Sequence, residues 1–509
     1  MQFDYIIVQA GGMGTRMESL TRNKPKALIS VNNVPILFHL FQKYPDKRFV
    51  IIGDYKIDVL SRYLETFANV QYVMLKSIGR GNVAGIKSAL ELIPAESSFM
   101  LIWSDLILGE NFDTENLPDE NYIGIAKNFP CSWSFFENRL EKKRIDGHGV
   151  AGFFIFKDKS MLETIPEQGS FTRYLAGQNL NLRELEIADT VDVGSIDSFR
   201  KIESQFQDIC RPYNRITFKD EIVIKEALTQ DAQKLLKFET DWYDRISSEH
   251  NFGIPKIYST NPLTMERIHG KNICSTEIAD ELKPRVIQKM VDCLKALHRI
   301  DSTDPDPFDI AKEFFQKTLT RLRKISPVIP FASDSEIQIN GRILKNPLRH
   351  LDEFMRLTKF SIETAKNFGI IHGDCTFSNT LIDSDLNIYF IDARGYFGSK
   401  EFIGDCDYDW AKMYYSIAGK FDQFNLGNFD LQIDESKIEF SIAESGWENQ
   451  TEYFLSLIPN LNLRRIKFIH SIIWLSLASH CSDDFDSMCL AFYNGVELWN
   501  DVLEGDSKC

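Results

Sequence analysis

Two patterns along the chain predict an α/β domain followed by a two-lobed α+β domain. Over residues 3–202, short apolar runs alternate with amphipathic stretches of helical spacing. Such alternation is typical of a doubly wound, mostly parallel sheet with helices on both faces. From residue 204 a hairpin and a helix lead into long helical segments, which predicts a small strand-rich lobe and a larger helical lobe. We therefore expect domains at 1–203 and 204–509, with lobes at about 204–270 and 271–509.

Composition and spacing predict the individual elements. Strand signals lie at YIIVQA, RFVIIGD, VQYVML, SFMLIWSD, YIGIA and VAGFFIF, and helical spacing lies at PILFHLFQKY, IDVLSRYLETF and NVAGIKSALELI. In the second domain RITFKDEIVIKEAL predicts two strands and a helix, and IHGDCTFSNTLIDSDLNIYFIDARG places strands between the later helices. The apolar segment FIHSIIWLSLASH is too short for a membrane span and is interrupted by His470 and Ser471, which predicts a buried helix.

Charge and composition exclude several classes of partner. The net charge is -15, with 43% apolar and 26% charged residues, as in ordinary globular proteins. That balance argues against a broad electrostatic surface for nucleic acid or anionic lipid, so we expect no nucleic-acid partner. No stretch approaches the ~20 apolar residues that a spanning helix needs, so we expect no membrane span. The start MQFDYIIVQAGG has no basic leader before an apolar run, which predicts a protein without a signal peptide. The oligomeric state stays open, since the sequence is compatible with an oligomer.

The cysteines indicate a reducing compartment. The chain has nine cysteines in all, among them Cys210, Cys274 and Cys293, and they are scattered without a CxxC pair. A zinc site or a disulfide framework requires tighter clustering. We therefore expect free thiols in the cytoplasm.

A glycine-rich segment follows the first predicted strand. IIVQA runs directly into Gly11-Gly12-Met13-Gly14-Thr15-Arg16. Glycines allow a tight turn whose N–H groups approach an anion, and Arg16 offers a planar set of donors for phosphate oxygens. Lys26, in the segment KPKAL, would add a second cation for a departing pyrophosphate. Taken alone, the segment is equally compatible with a plain strand-to-helix turn.

Five ordered segments of residues 3–202 resemble the sugar-phosphate nucleotidyltransferase family. They are GGMGTR with PKAL and VNNVPIL, IGRGNVAGIKSAL, LIWSDLIL, RLEKKRIDGHGVAGFFIF with Glu141 and Gly152, and VDVGSIDSF. The resemblance implies a Rossmann-like fold in which a small phosphorylated metabolite attacks the α-phosphorus of a nucleoside triphosphate and pyrophosphate leaves. Positioning and charge neutralisation would supply most of the rate.

The same resemblance implies roles for individual residues. Arg16 and Lys26 would be catalytic by stabilising the leaving pyrophosphate, and Lys142 would hold the acceptor phosphate. Mg²⁺ on the triphosphate would be held by Asp105 and Asp192. The residues expected to bind the nucleotide are Gly11, Gly12, Gly14, Thr15 and Gly81. Two simpler readings stay open, since Asp192 would also suit a helix cap and the run EKKR around Lys142 a solvated turn.

The nucleotide base stays open between CTP, UTP and GTP. Gln9 and Ser104 stand where the family usually has Ala or Gly, and both positions lie beside the nucleotide. The sequence therefore identifies the reaction class better than the base.

A second set of polar residues lies at the strand-rich interruption of the helical lobe. HGDCTFSN contains Asp374 and Asn379, and Asp392 follows in YFIDARG. A carboxylate that orients a substrate hydroxyl and accepts its proton, with an amide and a second carboxylate for Mg²⁺ on ATP, is a workable kinase site. We interpret His372 and His298 as structural residues.

This pattern resembles the aminoglycoside phosphotransferase and choline kinase family, relatives of the protein kinases, over residues 204–420. Lys225 in IVIKEAL matches the lysine that binds the ATP phosphates, and Glu239 on the next helix would pair with it. MERIHG, KALHRI and GDCDYDWAK also match. The resemblance implies a two-lobed protein-kinase-like fold. One departure is that FQDICRPYNRITFKDEIVIK contains no glycine, where kinases place a glycine-rich loop.

Together the domains predict a bifunctional enzyme. A kinase with ATP would make a phosphomonoester, and the transferase would convert it to an NDP- or CDP-activated precursor, with a sugar-like acceptor favoured, for a bacterial surface polysaccharide. One alternative is a choline kinase joined to a phosphocholine cytidylyltransferase, for which an aromatic cage is a candidate among Tyr408, Trp410, Tyr414, Tyr415, Trp474 and Trp499. Helical spacing favours core positions for these rings. Another alternative is a transferase with a non-catalytic, ligand-binding kinase-like domain, and a non-enzymatic scaffold is disfavoured by the intact carboxylates.

Overall fold

A computed structural model describes residues 3–206, 214–246 and 253–505, with side chains up to residue 204 in the first range. The chain divides into two compact units, residues 1–208 with 483–486 and residues 209–482 with 487–509. The helix α5 (Ile196–Phe206) extends through residue 203, where the sequence predicts the domain boundary. Cys210 and the part of FQDICRPYNRITFKDEIVIK at 207–213 lie outside the described residues.

The first unit contains thirteen strands and five helices among its described residues. The strands are β1 (Tyr5–Gln9), β2 (Ser30–Val31), β3 (Val34–Pro35), β4 (Arg48–Gly53), β5 (Gln71–Lys76), β6 (Phe99–Trp103), β7 (Leu106–Ile107), β8 (Tyr122–Ala126), β9 (Ser134–Phe136), β10 (Arg139–Glu141), β11 (Gly149–Phe156), β12 (Arg183–Glu186) and β13 (Val191–Asp192). The helices are α1 (Ile36–Lys43), α2 (Ile57–Phe67), α3 (Asn82–Glu91), α4 (Phe171–Ala176) and α5.

A nine-stranded sheet organises this unit. Its order is β10-β9-β11-β6-β1-β4-β5, with β8 beside β11 and β12 beside β8. The strands β6, β1, β4 and β5 run parallel, whereas β11 is antiparallel to β6 and β8. The predicted α/β class with a mostly parallel sheet is therefore confirmed, with antiparallel strands added on one side.

The central strand β1 explains why the site forms where it does. Ile6, Ile7 and Val8 are fully buried, as expected for a strand covered on both faces. Because β1 and β6 are parallel neighbours, the segments that follow Gln9 and Trp103 leave the same edge of the sheet. Ligands of open α/β sheets bind at this carboxyl edge.

The second unit begins with an antiparallel sheet and continues mainly as helices. Its strands are β14 (Asn214–Lys219), β15 (Ile222–Ala227), β16 (Ile257–Thr260), β17 (Leu263–Glu266), β18 (Lys271–Asn272), β19 (Ser302–Thr303), β20 (Glu336–Ile339), β21 (Arg342–Lys345), β22 (Phe368–Ile370), β23 (Thr380–Ile382), β24 (Ile388–Phe390), β25 (Tyr396–Phe397), β26 (Lys400–Glu401), β27 (Ile403–Asp405), β28 (Phe429–Ile433) and β29 (Ile438–Ile442). Its helices are α6 (Gln230–Ile246), α7 (Lys283–His298), α8 (Pro307–Ala311), α9 (Lys317–Ile325), α10 (Leu351–Glu363), α11 (Cys406–Ile417), α12 (Phe421–Asn425), α13 (Thr451–Ser456), α14 (Leu463–Leu477) and α15 (Phe485–Glu504), whose first two residues count with the first unit.

The small lobe is the sheet β14-β15-β17-β16 with α6 packed against it. The predicted hairpin and helix of RITFKDEIVIKEAL correspond to β14, β15 and α6. The predicted buried helix is α14, in which His470 and Ser471 are buried. None of the helices in the described part of the chain combines the length and the apolar content that a membrane crossing requires.

Candidate active sites

The glycine-rich segment of the first unit forms an open loop after β1. Gly14 has a φ of 62°, a left-handed conformation that favours glycine, and its carbonyl accepts from Met17 N at 2.7 Å to start a short helical turn. Gly12, Thr15 and Arg16 are exposed. A Cβ on Gly12 would meet no atom within 4 Å. The loop therefore presents accessible backbone and a guanidinium at the carboxyl edge of the sheet.

Four predicted residues of this unit lie together beside the loop. Lys26 Nζ is 2.7 Å from Asp105 Oδ2. Asp192 lies on β13, which pairs with β7 directly after Asp105, and Val193 N donates to Asp105 O at 2.8 Å. A Cβ on Gly194 would be 2.6 Å from Asp192 Oδ1 and 3.2 Å from Arg16 Nη2. Two carboxylates and two cations thus share one small volume.

Electrostatics at Asp192 indicate a place for a further cation. Burial and the nearby Asp105 raise the pKa of Asp192, and Lys26 and Arg16 only partly oppose this effect. Asp192 Oδ1 is buried without a hydrogen-bond partner among the described residues. Mg²⁺ in nucleotide sites is bound by one or two carboxylates together with phosphate oxygens. Asp105 and Asp192 fit that requirement in ligand type.

The segment containing Gly81 lies between the backbone of Gly169 and the end of β1. Gly81 has a φ of 83°, and a Cβ there would lie 2.2 Å from Gly169 O, so a larger residue would clash with backbone. The side chain of Gln9 donates from Nε2 to Asn82 O at 2.9 Å, which connects the end of β1 to the start of α3. The predicted base-contacting segment is therefore adjacent to the end of β1.

Lys142 is placed apart from the carboxylates. It is exposed just after β10, and the contacts of the described residues do not connect it with Asp105 or Asp192. Burial and Asp192 raise the pKa of Cys131 to about 11, whereas Arg144 opposes the shift. Arg144 of the same EKKR run thus acts electrostatically on Cys131, and it is not among the site residues predicted from the sequence.

In the second unit Lys225 is held between two carboxylates. Its Nζ is 2.7 Å from Glu239 Oε2 and 2.6 Å from Asp392 Oδ1. Lys225 and Glu239 are 9% and 5% exposed, so this is a buried pair and not a surface one. Burial and Asp392 raise the pKa of Glu239 to about 7. For Lys225, burial disfavours the charged form, but the charges of Asp392 and Glu239 outweigh this effect and raise the pKa of the lysine. Asp392 has a φ of 59°.

Asp374 lies within a network of its own. Lys412 Nζ on α11 is 2.8 Å from Asp374 Oδ1, and Asn379 Nδ2 donates to Asp374 Oδ2 at 2.8 Å. Burial disfavours the ionised form, but Lys412 holds the pKa of Asp374 below its usual value. The carboxylate is therefore ionised and suited to accept from a hydroxyl. Since Asn379 uses its nitrogen here, its carbonyl oxygen is the atom left for a metal.

Asn379 and Asp392 fit Mg²⁺ in ligand type. Both offer oxygen, and Mg²⁺ on nucleotides takes few protein ligands because phosphates and waters complete its shell. Among the described residues, His, Cys, Asp and Glu form no group of three or more that could bind a metal alone.

A buried aspartate positions the predicted catalytic loop, which is the segment that contains His372, Gly373 and Asp374. Asp409 on α11 is 0% exposed and accepts from His372 N at 2.9 Å and Gly373 N at 2.7 Å, and it contacts His298 Nε2 at 2.9 Å. Burial lowers the pKa of His372, and Asp374 N donates to His372 Nδ1 at 3.2 Å. Both histidines therefore have the structural roles expected. Asp409 and Lys412 belong to the segment GDCDYDWAK, where nothing in the sequence distinguishes them from the other charged residues.

The aromatic residues considered for a cage lie mostly in the core. Trp474 and Trp499 are fully buried and Trp410 nearly so. The Tyr415 ring stacks on Phe421 with centroids 4.2 Å apart, and Lys412 Nζ lies 5.2 Å from the Tyr415 centroid. The tryptophans therefore serve packing, and the Tyr415 ring already faces a protein cation.

Two family models match separate parts of the chain. Residues 5–117 match the family model "Nucleotidyl transferase" and residues 213–392 match "Phosphotransferase enzyme family". The bifunctional protein GlmU of Methanococcus maripaludis is 27% identical over 125 residues, which is 24% of this chain and 29% of the relative. The 2-aminoethylphosphonate cytidylyltransferase of Lancefieldella rimae is 24% identical over 181 residues, 34% of this chain and 64% of the relative.

Among experimental structures, HddC from Yersinia pseudotuberculosis complexed with GMP-PN is 19% identical and has a TM-score of 0.34, covering 40% of this chain and 100% of that chain. The match to GlmU thus spans less than a third of the length of that relative. The match to HddC spans about two-fifths of the chain described here. Residues 5–117 of the first unit are thus similar to the nucleotidyl transferase family, and residues 213–392 of the second unit are similar to the phosphotransferase enzyme family.

Proposed function

We propose that the chain is a bifunctional transferase. Its second unit would phosphorylate a small alcohol with ATP, and its first unit would transfer a nucleotidyl group from a nucleoside triphosphate to the resulting phosphomonoester. The observation that carries the proposal is that each unit keeps a complete set of charged groups: Lys26–Asp105 beside Asp192 in one, and Asp374–Asn379 near Lys225–Asp392 in the other. Asp192 Oδ1 is in addition buried without a hydrogen-bond partner among the described residues, which a structural role alone does not require.

In the transferase step, the chain's own residues neutralise and orient phosphate. The backbone of Gly11–Gly14 and the Arg16 guanidinium face the triphosphate, and Lys26 reaches the leaving pyrophosphate. Mg²⁺ bound by Asp105 and Asp192 would further offset the charge of the triphosphate. An acceptor phosphate oxygen attacks the α-phosphorus while the bond to the β-phosphate oxygen breaks. Lys142, or Arg144 of the same run, would hold that acceptor phosphate.

In the kinase step, Asp374 orients the acceptor hydroxyl and takes its proton, which its ionised state allows. Lys225 exchanges its contact with Asp392 for a contact with the ATP phosphates, while its ion pair with Glu239 is retained. Asn379 and Asp392 would hold Mg²⁺, which neutralises charge on the transferred phosphoryl group. The turn between β14 and β15 contains Asp220 and Glu221 and no glycine, so its backbone has less freedom to approach the phosphates closely.

Finer features of the proposal concern the substrates. A sugar-like acceptor and a surface-polysaccharide precursor remain our preferred product class. CTP is the first base to test among CTP, UTP and GTP, because one relative is named as a cytidylyltransferase. A cytoplasmic setting agrees with the free thiols of Cys131, Cys274, Cys293, Cys375 and Cys406.

A specific cavity favours one competing substrate class. A space of about 360 Å³ is lined by Phe377, Asp422 and Trp447, and the Phe377 and Trp447 rings are 4.6 Å apart. Aromatic faces with a carboxylate suit a quaternary ammonium group. This cavity keeps a choline kinase joined to a phosphocholine cytidylyltransferase as the second candidate.

The test separates the two activities by mutation. With the full chain, ATP, each of CTP, UTP and GTP, and a panel of alcohols and phosphomonoesters, pyrophosphate and ADP are measured separately. We expect Asp105→Ala to abolish pyrophosphate release from a supplied phosphomonoester but not ADP release, and Asp374→Ala to do the reverse. The exposed Asp119→Ala and Asp385→Ala serve as matched controls.

The outcome decides between the candidates. Equal products from wild type, Asp105→Ala and Asp374→Ala would refute the proposal. ADP release that is absent from wild type with every alcohol would leave the kinase-like unit as a ligand-binding domain.

A further inference from the structure

Four basic side chains gather near Asp374 in the second unit. They come from three places in the sequence, and we call them the cationic cluster: Lys317 and Arg321 on α9, Arg394 after β24 and Lys412 on α11. The side chains of Lys317, Arg394 and Lys412 are 22%, 12% and 14% exposed, so they are largely withdrawn from water without being sealed. Such a cluster requires compensating negative charge.

The carboxylates that contact the cationic cluster are too few to balance it. A single oxygen, Glu313 Oε1, accepts from Lys317 at 2.5 Å and from Arg394 at 2.7 Å. Asp374 pairs with Lys412. Arg321 forms no hydrogen bond or ion pair within the described part of the chain. Four basic side chains therefore share two carboxylates.

The pKa values of Lys317 and Arg321 reflect the close approach of these positive charges. Burial together with Arg394 lowers the pKa of Lys317 well below its usual value and lowers that of Arg321. Tyrosine rings supply part of the compensation, since the Arg394 guanidinium is 4.3 Å from the Tyr396 centroid and Lys317 Nζ is 5.6 Å from it. Aromatic faces stabilise cations less strongly than an anion does. The cationic cluster therefore has capacity for an added oxyanion.

The cationic cluster borders the predicted catalytic base. Arg394 N donates to His372 O at 2.8 Å, and a Cβ on Gly373 would be 2.8 Å from Arg394 Cβ. Arg394 also contributes to the low pKa of Asp374. An anion held here would be part of a molecule whose hydroxyl can reach Asp374.

We infer that the alcohol phosphorylated by the second unit carries an oxyanion, a carboxylate or a phosphate, which binds the cationic cluster through Arg321. The inference rests on the proposed kinase function. The hydroxyl oxygen attacks the γ-phosphorus of ATP, the bond from that phosphorus to the β-phosphate oxygen breaks, ADP leaves and the hydroxyl proton passes to Asp374. The product then carries both the original oxyanion and the new phosphomonoester.

The acidic cavity at Asp422 would instead suit a cationic acceptor, but its charge is more nearly balanced. Lys283 stands in its wall, where it pairs with Asp280 and lies 5.3 Å from the Trp447 centroid. Burial raises the pKa of Asp422 to about 6, so this carboxylate is close to neutralisation without a ligand. The unbalanced charge is therefore in the cationic cluster.

Matched acceptors test the inference on the full chain. ADP release is measured with ATP and the pairs glycerol and glycerate, glucose and glucuronate, and glucose and glucose 6-phosphate, with choline and ethanolamine as cationic probes. We expect kcat/KM to be at least about ten-fold higher for the anionic member of a pair, the size of one charge-assisted contact. Glucuronate and glucose 6-phosphate distinguish a carboxylate from a phosphate.

Arg321→Met tests the site itself. We expect KM for the anionic acceptor to rise about ten-fold or more and KM for ATP to change far less, with partial recovery in Arg321→Lys. Arg323→Met removes the same charge from an exposed position of α9 and is the matched control. Equal effects of Arg321→Met and Arg323→Met would overturn the inference.

Failure of the inference is distinguishable from failure of the kinase proposal. Asp374-dependent ADP release that favours glycerol, glucose or choline would leave the kinase intact and overturn the anionic acceptor. If no alcohol is phosphorylated, calorimetric binding of glucuronate and glucose 6-phosphate decides. Binding that Arg321→Met weakens supports the cationic cluster as an oxyanion site, and absence of binding overturns it.

Discussion

Replacing Asp409 by asparagine should loosen the catalytic loop of the second unit. The Asp409 carboxylate accepts one hydrogen bond from each of two successive backbone N–H groups, His372 at 2.9 Å and Gly373 at 2.7 Å. Asparagine keeps only one acceptor oxygen, and its NH₂ group would face the other backbone donor. The substitution therefore removes the negative charge and leaves one buried N–H without a partner.

The cost follows from those two contacts. A hydrogen bond to a charged group contributes about 1.5–3 kcal/mol, and a buried donor left unsatisfied costs about 1–3 kcal/mol. Their sum predicts a loss of about 2.5–6 kcal/mol in the free energy of unfolding of this unit, a large part of the total for a typical domain. Because Asp374 follows Gly373 directly, a displacement of about 1 Å would also lower kcat for ADP release by about a hundred-fold.

The assay is urea unfolding of the full chain, followed by tryptophan fluorescence, with ADP release measured in parallel. Asp385→Asn is the control, since Asp385 is an exposed turn residue with the same change of side chain. We expect the unfolding transition of the second unit to shift for Asp409→Asn alone. A variant as stable and as active as Asp385→Asn would refute the positioning role.

Three further predictions follow from individual contacts. Lys225→Met should lower kcat/KM for ADP release by about a hundred-fold, because a preorganised cation for the ATP phosphates is lost; an ATP titration measures it. Gly81→Ala should lower the rate of pyrophosphate release about ten-fold or more, because the positive φ of Gly81 and the nearby backbone of Gly169 both disfavour a Cβ. Gly177→Ala is the control and should leave pyrophosphate release unchanged, because Gly177 has a negative φ. Burial raises the pKa of Asp422 to about 6, so the folded state retains its proton longer than the unfolded state and stability falls as pH rises from about 4 to 6. Asp422→Asn should therefore add about 2 kcal/mol more stability at about pH 7.5 than at about pH 4.5 in urea unfolding.

The sequence predicts features that depend on local order along the chain. IIVQA before Gly11 indicates a strand entering a phosphate loop, and the strand and loop form as expected because both depend on neighbouring residues. The pairing of Lys225 with Glu239 was likewise expected, since the two lie on consecutive elements of one lobe. Local periodicity and a family motif carry this information together.

Other features depend on contacts between distant segments. Lys412 and Asp409 reach the catalytic loop from α11, over thirty residues later, and Arg321 on α9, far earlier, interacts electrostatically with Arg394. In the sequence these are ordinary charged residues of amphipathic helices. Only the packing of the helices decides which of them turn toward Asp374. The roles of Lys142 and Arg144, by contrast, depend on a bound acceptor and stay predictions.

The backbone at Asp392 limits what can replace it. With a φ of 59°, the residue occupies a region that Gly, Asn and Asp tolerate and that most other side chains avoid. Of those three, only Asp is charged, so shape and charge select the same residue for different reasons. Asp392→Asn removes the charge while preserving the turn, whereas Asp392→Ala or Asp392→Glu would add backbone strain. Asparagine is thus the substitution that reports on chemistry alone at this position.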